Sequence, residues 1–368
     1  MEVLVQEASA DQNYRKFVVK YSYGNLALDE QSDADNDLRN EYQYLKRLRG
    51  AEHIVQLIDF PDCSLNLPGI SDGEATYEES VQKQKDEAAA AAADGSQPTT
   101  VSPIRRCPTL AIEYITYGTA YDFKKRVHKS GKFLIPSQLL WKIWLCLVRQ
   151  CVAMAFPPDI PDDQYVGQLI REVMEDRPYA FITQNSPHLA NFLFNGTTDI
   201  PGDEHEPDLP LVKLIDFGRG RIEDGESESA LRRSPDSPEE YANKKNLSGA
   251  ADVLMRLCCL DSRREQDFQL HKNPIPYTWT DETGTHTTQT RAPRILRTNI
   301  FIDDNLRHLL ARVMAHPYAL KPSLREVLSE TEKAIARGPD HQSVSFLVGG
   351  AETADTVRSY VQEWIYDA

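Results

Sequence analysis

Asp216 closes the run Leu211-Val212-Lys213-Leu214-Ile215 and is followed by Phe217 and Gly218. A short β-branched and aliphatic run reads as a buried strand, which puts the carboxylate at the strand's mouth. A carboxylate there, with an anchoring aromatic and a flexible glycine behind it, suits holding a metal against a polyphosphate. Lys20 closes a second such run, Phe17-Val18-Val19. A lysine in that place either snorkels to solvent or pairs with an anion. Glu41 offers the anion, because it lies beside the face Leu38, Tyr42, Leu45 and Leu48 of a helix predicted over 36–49. The alternative is an exposed helix glutamate. Asp203-Glu204-His205-Glu206 has metal-ligand composition, yet it falls in a Gly/Asp/Pro-rich loop over 195–210, where a solvated tip accounts for it equally well.

Positioning such groups needs a sizeable core, and the chain can build one. Its 368 residues suffice for about two domains or one large two-lobed one, and 40% of them are hydrophobic. A net charge of −15, from 41 basic and 56 acidic side chains, argues against general nucleic-acid binding, which needs a basic footprint. Six cysteines (Cys63, Cys107, Cys146, Cys151, Cys258 and Cys259) show no C-x-x-C spacing and read as reduced thiols. The N-terminus lacks the pattern of a secretory signal. The most apolar window, Leu139 to Phe156, carries Lys142, Arg149 and Gln150, which makes it a poor membrane span. These features predict an intracellular protein, cytoplasmic or nuclear, with no membrane partner.

The periodicities predict an α+β chain. Strands are expected over 1–8, 14–21, 53–60 and 109–115, with a low-complexity surface insertion at 61–107. Helices then dominate: 121–129, and 137–156 with Leu140, Ile143, Trp144, Leu147, Val148 and Cys151 on one face. Gln164 to Glu175 reads as an inserted helix. Short strands at 180–183 and 192–194 surround a polar loop. Further helices are expected around Leu247 to Leu257, at 305–315, 323–335 and 353–366, with polar loops over 261–295.

A small strand-rich part joined by a hinge to a larger helical part resembles the eukaryotic protein-kinase fold, and the motifs resemble it in sequence order. Phe17-Val18-Val19-Lys20 looks like the strand motif V-A-I-K, and Glu41 matches the helix glutamate that pairs with its lysine. Leu110 to Ile115 is similar to the last N-lobe strand and hinge, with Ile112 at the gatekeeper position. The resemblance implies that backbone at Glu113, Tyr114 and Ile115 would meet an adenine. Asp216-Phe217-Gly218 matches the magnesium-binding motif, and Ser237-Pro238-Glu239 is similar to A-P-E. Lys321-Pro322-Ser323-Leu324-Arg325-Glu326-Val327-Leu328 resembles the helix that follows a family arginine, here replaced by Lys321. The resemblance covers roughly residues 1–336. It implies a kinase-like N-lobe over 1–115, a helical C-lobe over 116–336, and an extension over 337–368 with one amphipathic helix.

Two departures bear on function. The family's catalytic loop reads H-R-D-x-x-x-x-N, with the Asp as base and the Asn on a second magnesium. Its counterpart is Gln184-Asn185-Ser186-Pro187-His188-Leu189-Ala190-Asn191. Asn191 is kept, Gln184 replaces the histidine, and Ser186 stands where the base belongs. In addition, no G-x-G-x-x-G precedes Lys20. The resemblance thus implies ATP and Mg²⁺ as cofactors, held by Lys20, Glu41, Asn191 and Asp216, with acceptor activation lost. The leading expectation is a pseudokinase with residual nucleotide binding, acting through a protein partner. An active serine/threonine kinase with an unorthodox base, His188 for instance, is the second reading. A small-molecule phosphotransferase of the aminoglycoside or choline kinase type is the third. Ser234-Pro235 and Ser237-Pro238, after Arg232-Arg233, read either as phosphate acceptors or as a flexible charged loop.

Overall fold

The computed structural model describes residues 2–8, 14–21, 28–58, 109–131, 134–161, 164–165, 167–196, 210–222, 238–258, 273–281, 283–293, 296, 302–337 and 352–368. The insertion at 61–107, the acidic cluster 203–206, the serines 234 and 237, and Cys63, Cys107 and Cys259 lie outside the described residues. The fold is α+β, with small antiparallel sheets and several helices. The chain divides into two compact units, 1–46 with 57–114, and 47–56 with 115–368.

In the first unit, β1 (Glu2–Ala8) and β3 (Thr109–Glu113) flank β2 (Tyr14–Tyr21) in a three-stranded antiparallel sheet. Strand side chains alternate between faces, so Phe17 and Val19 are buried together with Ile58, while Val18 and Lys20 turn to the other side. Helix α1 (Leu28–Arg47) starts earlier than its apolar spacing suggested. The strand expected at 53–60 is instead a run of isolated bridges at Ala51, Ile54 and Leu57. Buried Gln56 explains the irregular backbone: its Oε1 accepts from the Gly50 N–H (2.7 Å) and its Nε2 donates to the Ala51 and Ile54 carbonyls (2.7 Å each). Gly50 takes φ +88°, a left-handed conformation that side chains disfavour.

The second unit takes in residues 47–56, with Gly50 and Gln56, and continues with α2 (Ala120–Lys129) and α3 (Ser137–Ala155). Short strands follow: β4 (Ile182–Thr183), β5 (Phe192–Phe194), β6 (Val212–Leu214) and β7 (Arg221–Ile222). Then come α4 (Pro238–Cys258), the hairpin β8 (Ile275–Asp281) and β9 (Gly284–Thr290), α5 (Asp304–Val313) and α6 (Leu324–Ala336). Last is α7 (Ala354–Val361), which continues as a π-helical turn, Gln362–Tyr366. Polar side chains mark most helix starts: Thr119, Asp303 and Thr353 each accept an N–H of the first turn, and Ser323 with Glu326 forms a capping box. Helix α3 is the core. Every residue but Gln138 is buried, so the expected single apolar face is in fact apolar contact all round, against α4 and α6 among others. No helix among the described residues is long and apolar enough to cross a membrane.

Two regions differ from expectation. Among the described residues no helix forms between Gln164 and Glu175; three prolines precede the region, and Ile170 pairs as a strand would, its N–H donating to the Gly50 carbonyl (2.7 Å) and its carbonyl accepting from the Glu52 N–H (3.2 Å). The loops expected over 261–295 contain the β8–β9 hairpin. Alternation in T-W-T and T-H-T-T-Q-T was the available signal. Thr278 and Thr280 face Thr287 and Thr285 on an exposed side, while Trp279 stacks with His286 and His308 on the other.

Helix α3 follows Pro136 and has no cap of its own. The carboxylate of Glu352, distant in sequence, accepts from the Ser137 N–H (2.6 Å) and the Gln138 N–H (3.1 Å). Removing a cap costs ~0.5–2 kcal/mol. Glu352→Ala is therefore expected to lower unfolding free energy by about 1–2 kcal/mol in urea titrations. Glu352→Gln, which keeps one acceptor, should lose less.

Candidate functional site

In the first unit, β2 and α1 bring Lys20 to Glu41. The Lys20 ammonium donates to both carboxylate oxygens, at 2.9 and 3.2 Å, and the side chains are 15% and 3% exposed. A two-oxygen, charge-assisted contact with this little solvent holds the lysine in one orientation. Along β3, Ile112 is buried opposite Val18, and Glu113 ends the strand opposite Phe17. Tyr114 is half-buried beneath the Lys16 ammonium, 5.5 Å from its ring centre. Ile115, the first residue of this stretch in the second unit, is buried.

In the second unit, β5 and β6 pair with Phe192 opposite Leu214, which puts Asn191 and Asp216 at the same end of the ladder. The Ile215 N–H donates to the Asn191 carbonyl (2.9 Å) and completes the join. Gln184 ties the two loops there: its Nε2 donates to the carbonyls of Ser186 and Asp216 (3.1 Å each), and its Oε1 accepts from the Ser186 N–H (2.9 Å). Asn191 Nδ2 donates to the Ser186 carbonyl (3.0 Å). Ser186 is thus fixed through its backbone by two amide side chains. Asn185 (φ 60°) and Asp216 (φ 65°) both sit in the left-handed region, which Asn and Asp tolerate best among side-chain-bearing residues. Asp216 Oδ1 accepts from the Gly218 N–H (3.2 Å), so the glycine helps to aim the carboxylate.

These donors suit a hard cation. Mg²⁺ takes oxygen ligands, one or two of them carboxylates, together with substrate phosphates. Asp216 keeps Oδ2 beyond its bond to Gly218, and Asn191 directs its Nδ2 at Ser186, which leaves its amide oxygen as the ligand-type atom.

A different group has ligand composition as well. Glu52, His53 and Glu172 are buried, with ligand-type atoms within 4.8 Å of one another. Their geometry is that of an ion pair: His53 Nδ1 lies 2.7 Å from Glu172 Oε2, and the His53 N–H donates to Glu172 Oε1 (2.7 Å). Burial pushes the Glu172 carboxyl up, but the facing His53, through its charge and hydrogen bonds, brings it below the ordinary value. The carboxyl is therefore ionised at neutral pH, and Nδ1 carries the proton it donates.

Lys321, which the kinase resemblance sets in the place of an arginine, donates to Ser248 Oγ and lies 4.3 Å from the Tyr318 ring centre. Burial, with Arg291 and Lys244 nearby, pushes its ammonium down to about 7. Pro238 begins α4, as Pro does at first helical positions, while Ser237 lies outside the described residues.

Sequence reasoning missed two structural partners. Asn246, on the inner side of α4, donates to the Ile182 carbonyl (2.8 Å) and accepts from the Gln184 N–H (3.4 Å). An asparagine amid a helical run was its only signal. The role of Glu172 was hidden because its segment was read as helix. No known protein family matches the chain, and no curated protein is significantly similar to it.

Proposed function

We propose that this chain is a divergent, kinase-like pseudoenzyme, two-lobed in the sense the motifs imply, that holds a magnesium nucleotide and acts through a protein partner rather than by turnover. The observation that carries this reading is the loop around Ser186. Its supports are in place, since Gln184 and Asn191 both bind the Ser186 backbone, while the residue itself offers a hydroxyl in place of a carboxylate. A serine cannot take a proton from an acceptor hydroxyl near neutral pH, and general-base catalysis is worth ~10²–10⁴-fold. Lys20, oriented by Glu41, would neutralise nucleotide phosphate charge. Asn191 and Asp216 would hold Mg²⁺, which when bound neutralises charge on the phosphate oxygens. The hinge backbone at Glu113 to Ile115 would take the adenine.

The test is a melting-temperature series with ATP. ATP with Mg²⁺ is expected to raise the melting temperature, and ATP in EDTA is not. Asp216→Asn should abolish the shift and Lys20→Met should reduce it, because a ligand stabilises only in proportion to its occupancy of the folded state. Labelled phosphate should appear on no generic protein substrate. Robust transfer that Asp216→Asn removes would establish the active-kinase reading in its place, and label on a sugar or amino alcohol would establish the small-molecule one.

A further inference from the structure

The second unit contains a partly open pocket of about 140 Å³ beside the Gln184 crosslink. Leu147, Cys151 and Met154 of α3 line one side, with Phe192 of β5 and Leu214 of β6. Polar groups also border it: Lys245, whose ammonium lies 5.9 Å from the Tyr241 ring centre, and four amide side chains that hydrogen-bond to the protein. Gln150 Nε2 donates to the Val212 carbonyl (2.9 Å) and Asn185 Nδ2 to the Arg219 carbonyl (3.2 Å). Gln184 serves Ser186 and Asp216, and Asn246 serves Ile182 and Gln184. A buried water needs roughly two to four polar partners, whereas dry apolar cavities of about 150 Å³ accept benzene. The space therefore suits carbon better than water.

Helix α4 leaves the room open. It presents Lys245, Asn246, Gly249 and Ala250 to the pocket, and a Cβ on Gly249 would come within 2.9 Å of Pro187 Cγ. The helix backbone thus approaches the 184–187 loop closely at Gly249, and beside that approach α4 offers only the methyl group of Ala250, while its Lys245 and Asn246 border the pocket four residues earlier.

We propose that this pocket is a binding site for a neutral, ring-sized apolar molecule, of the bulk of benzene or phenol, seated between α3, α4 and the β5–β6 ladder. Because Gln184 and Pro187 form part of the wall, an occupant presses on the loop that carries Ser186. Binding is thus reported at the Ser186 amide, whose N–H is held by Gln184 Oε1. The proposal stands independently of any nucleotide function.

The full chain is titrated with phenol and followed by ligand-observed saturation-transfer NMR and by amide hydrogen exchange. Saturable binding at one site is expected, with slowed exchange at the Gln184, Asn185 and Ser186 amides. Ala250→Leu, which fills the pocket from α4, should abolish saturable binding. Cys151→Leu, which fills it from α3, should do the same and serves alone if Ala250→Leu does not fold. Non-saturable binding by the wild type, or wild-type affinity in a folded filled variant, overturns the proposal.

Discussion

Ser186→Asp is expected to raise phosphoryl transfer by about 10²–10⁴-fold over the wild type, equivalent to roughly 3–5 kcal/mol of barrier. The size follows from what the loop already provides. In phosphoryl transfer the protein mainly positions groups and stabilises charge, so on the proposed kinase-like reading the loop around Ser186, with its supports intact, lacks the group that orients the acceptor and takes its proton. The Ser186 backbone is pinned at both its N–H and its carbonyl, so a carboxylate introduced there inherits a fixed starting point for its side chain. The position is half-buried, and a charged side chain there keeps access to water. The measurement is single-turnover transfer of labelled γ-phosphate to a mixed peptide substrate, with Ser186→Asp/Asp216→Asn as the control that should return to the wild-type rate. Equal rates for wild type and Ser186→Asp would show that a missing carboxylate is not what separates this chain from catalysis. The magnesium-dependent melting shift is a separate readout and survives that outcome.

The legible parts of the fold are those in which one local rule acts alone. Strand β2 is legible from the apolar, largely β-branched run Phe17, Val18 and Val19, and its burial alternates as a strand's must, with Phe17 and Val19 buried. The helices expected at 323–335 and 353–366 begin at Ser323 and Thr353, which cap them. The pairing of Lys20 with Glu41 could be named from the sequence because strand end and helix face each fixed one partner. What the sequence hid was decided by distant partners. Residues 51–58 carry strand composition, yet Gln56 folds their backbone into a turn by satisfying three main-chain groups at once. Residues 164–175 have helix-forming composition, but the chain gains more by pairing Ile170 with Gly50 and Glu52 and by delivering Glu172 to His53. The weakly hydrophobic β8–β9 hairpin gave too little contrast for a strand reading, since threonine occupies the exposed face where charges usually advertise it. In the candidate site, residue types were legible and the ties between them were not. Gln184 was placed as a histidine replacement, but its bridge from Ser186 to Asp216 depends on a fold-level approach of two loops.

Glu172→Ala is expected to destabilise the protein by about 3–5 kcal/mol, the loss typical of removing one partner from a buried ion pair. His53 is fully buried and Glu172 nearly so, and the carboxylate satisfies both the imidazole and the main-chain N–H of His53. Truncation leaves two buried donors without their acceptor, in addition to the lost charge pairing. Glu172→Gln should fall between, because its single carbonyl oxygen replaces one of two acceptors. The acid limb gives an independent check. The folded-state pKa of Glu172 is lowered, so the pair's contribution is fully present above the ordinary carboxylate value of 4.5 and is lost as pH falls through the lower, folded-state value. Wild-type stability should therefore decline below about pH 4.5 more steeply than that of Glu172→Ala, with urea midpoints at stepped pH as the measurement. EDTA should leave the wild-type midpoint unchanged, because His53 Nδ1 and both Glu172 oxygens are already engaged with each other and with the His53 N–H. A midpoint that drops with chelator and recovers with Zn²⁺ would instead make Glu52, His53 and Glu172 a metal site, and a Glu172→Ala cost within ~0.5 kcal/mol of zero would remove the pair from the forces that hold this unit together.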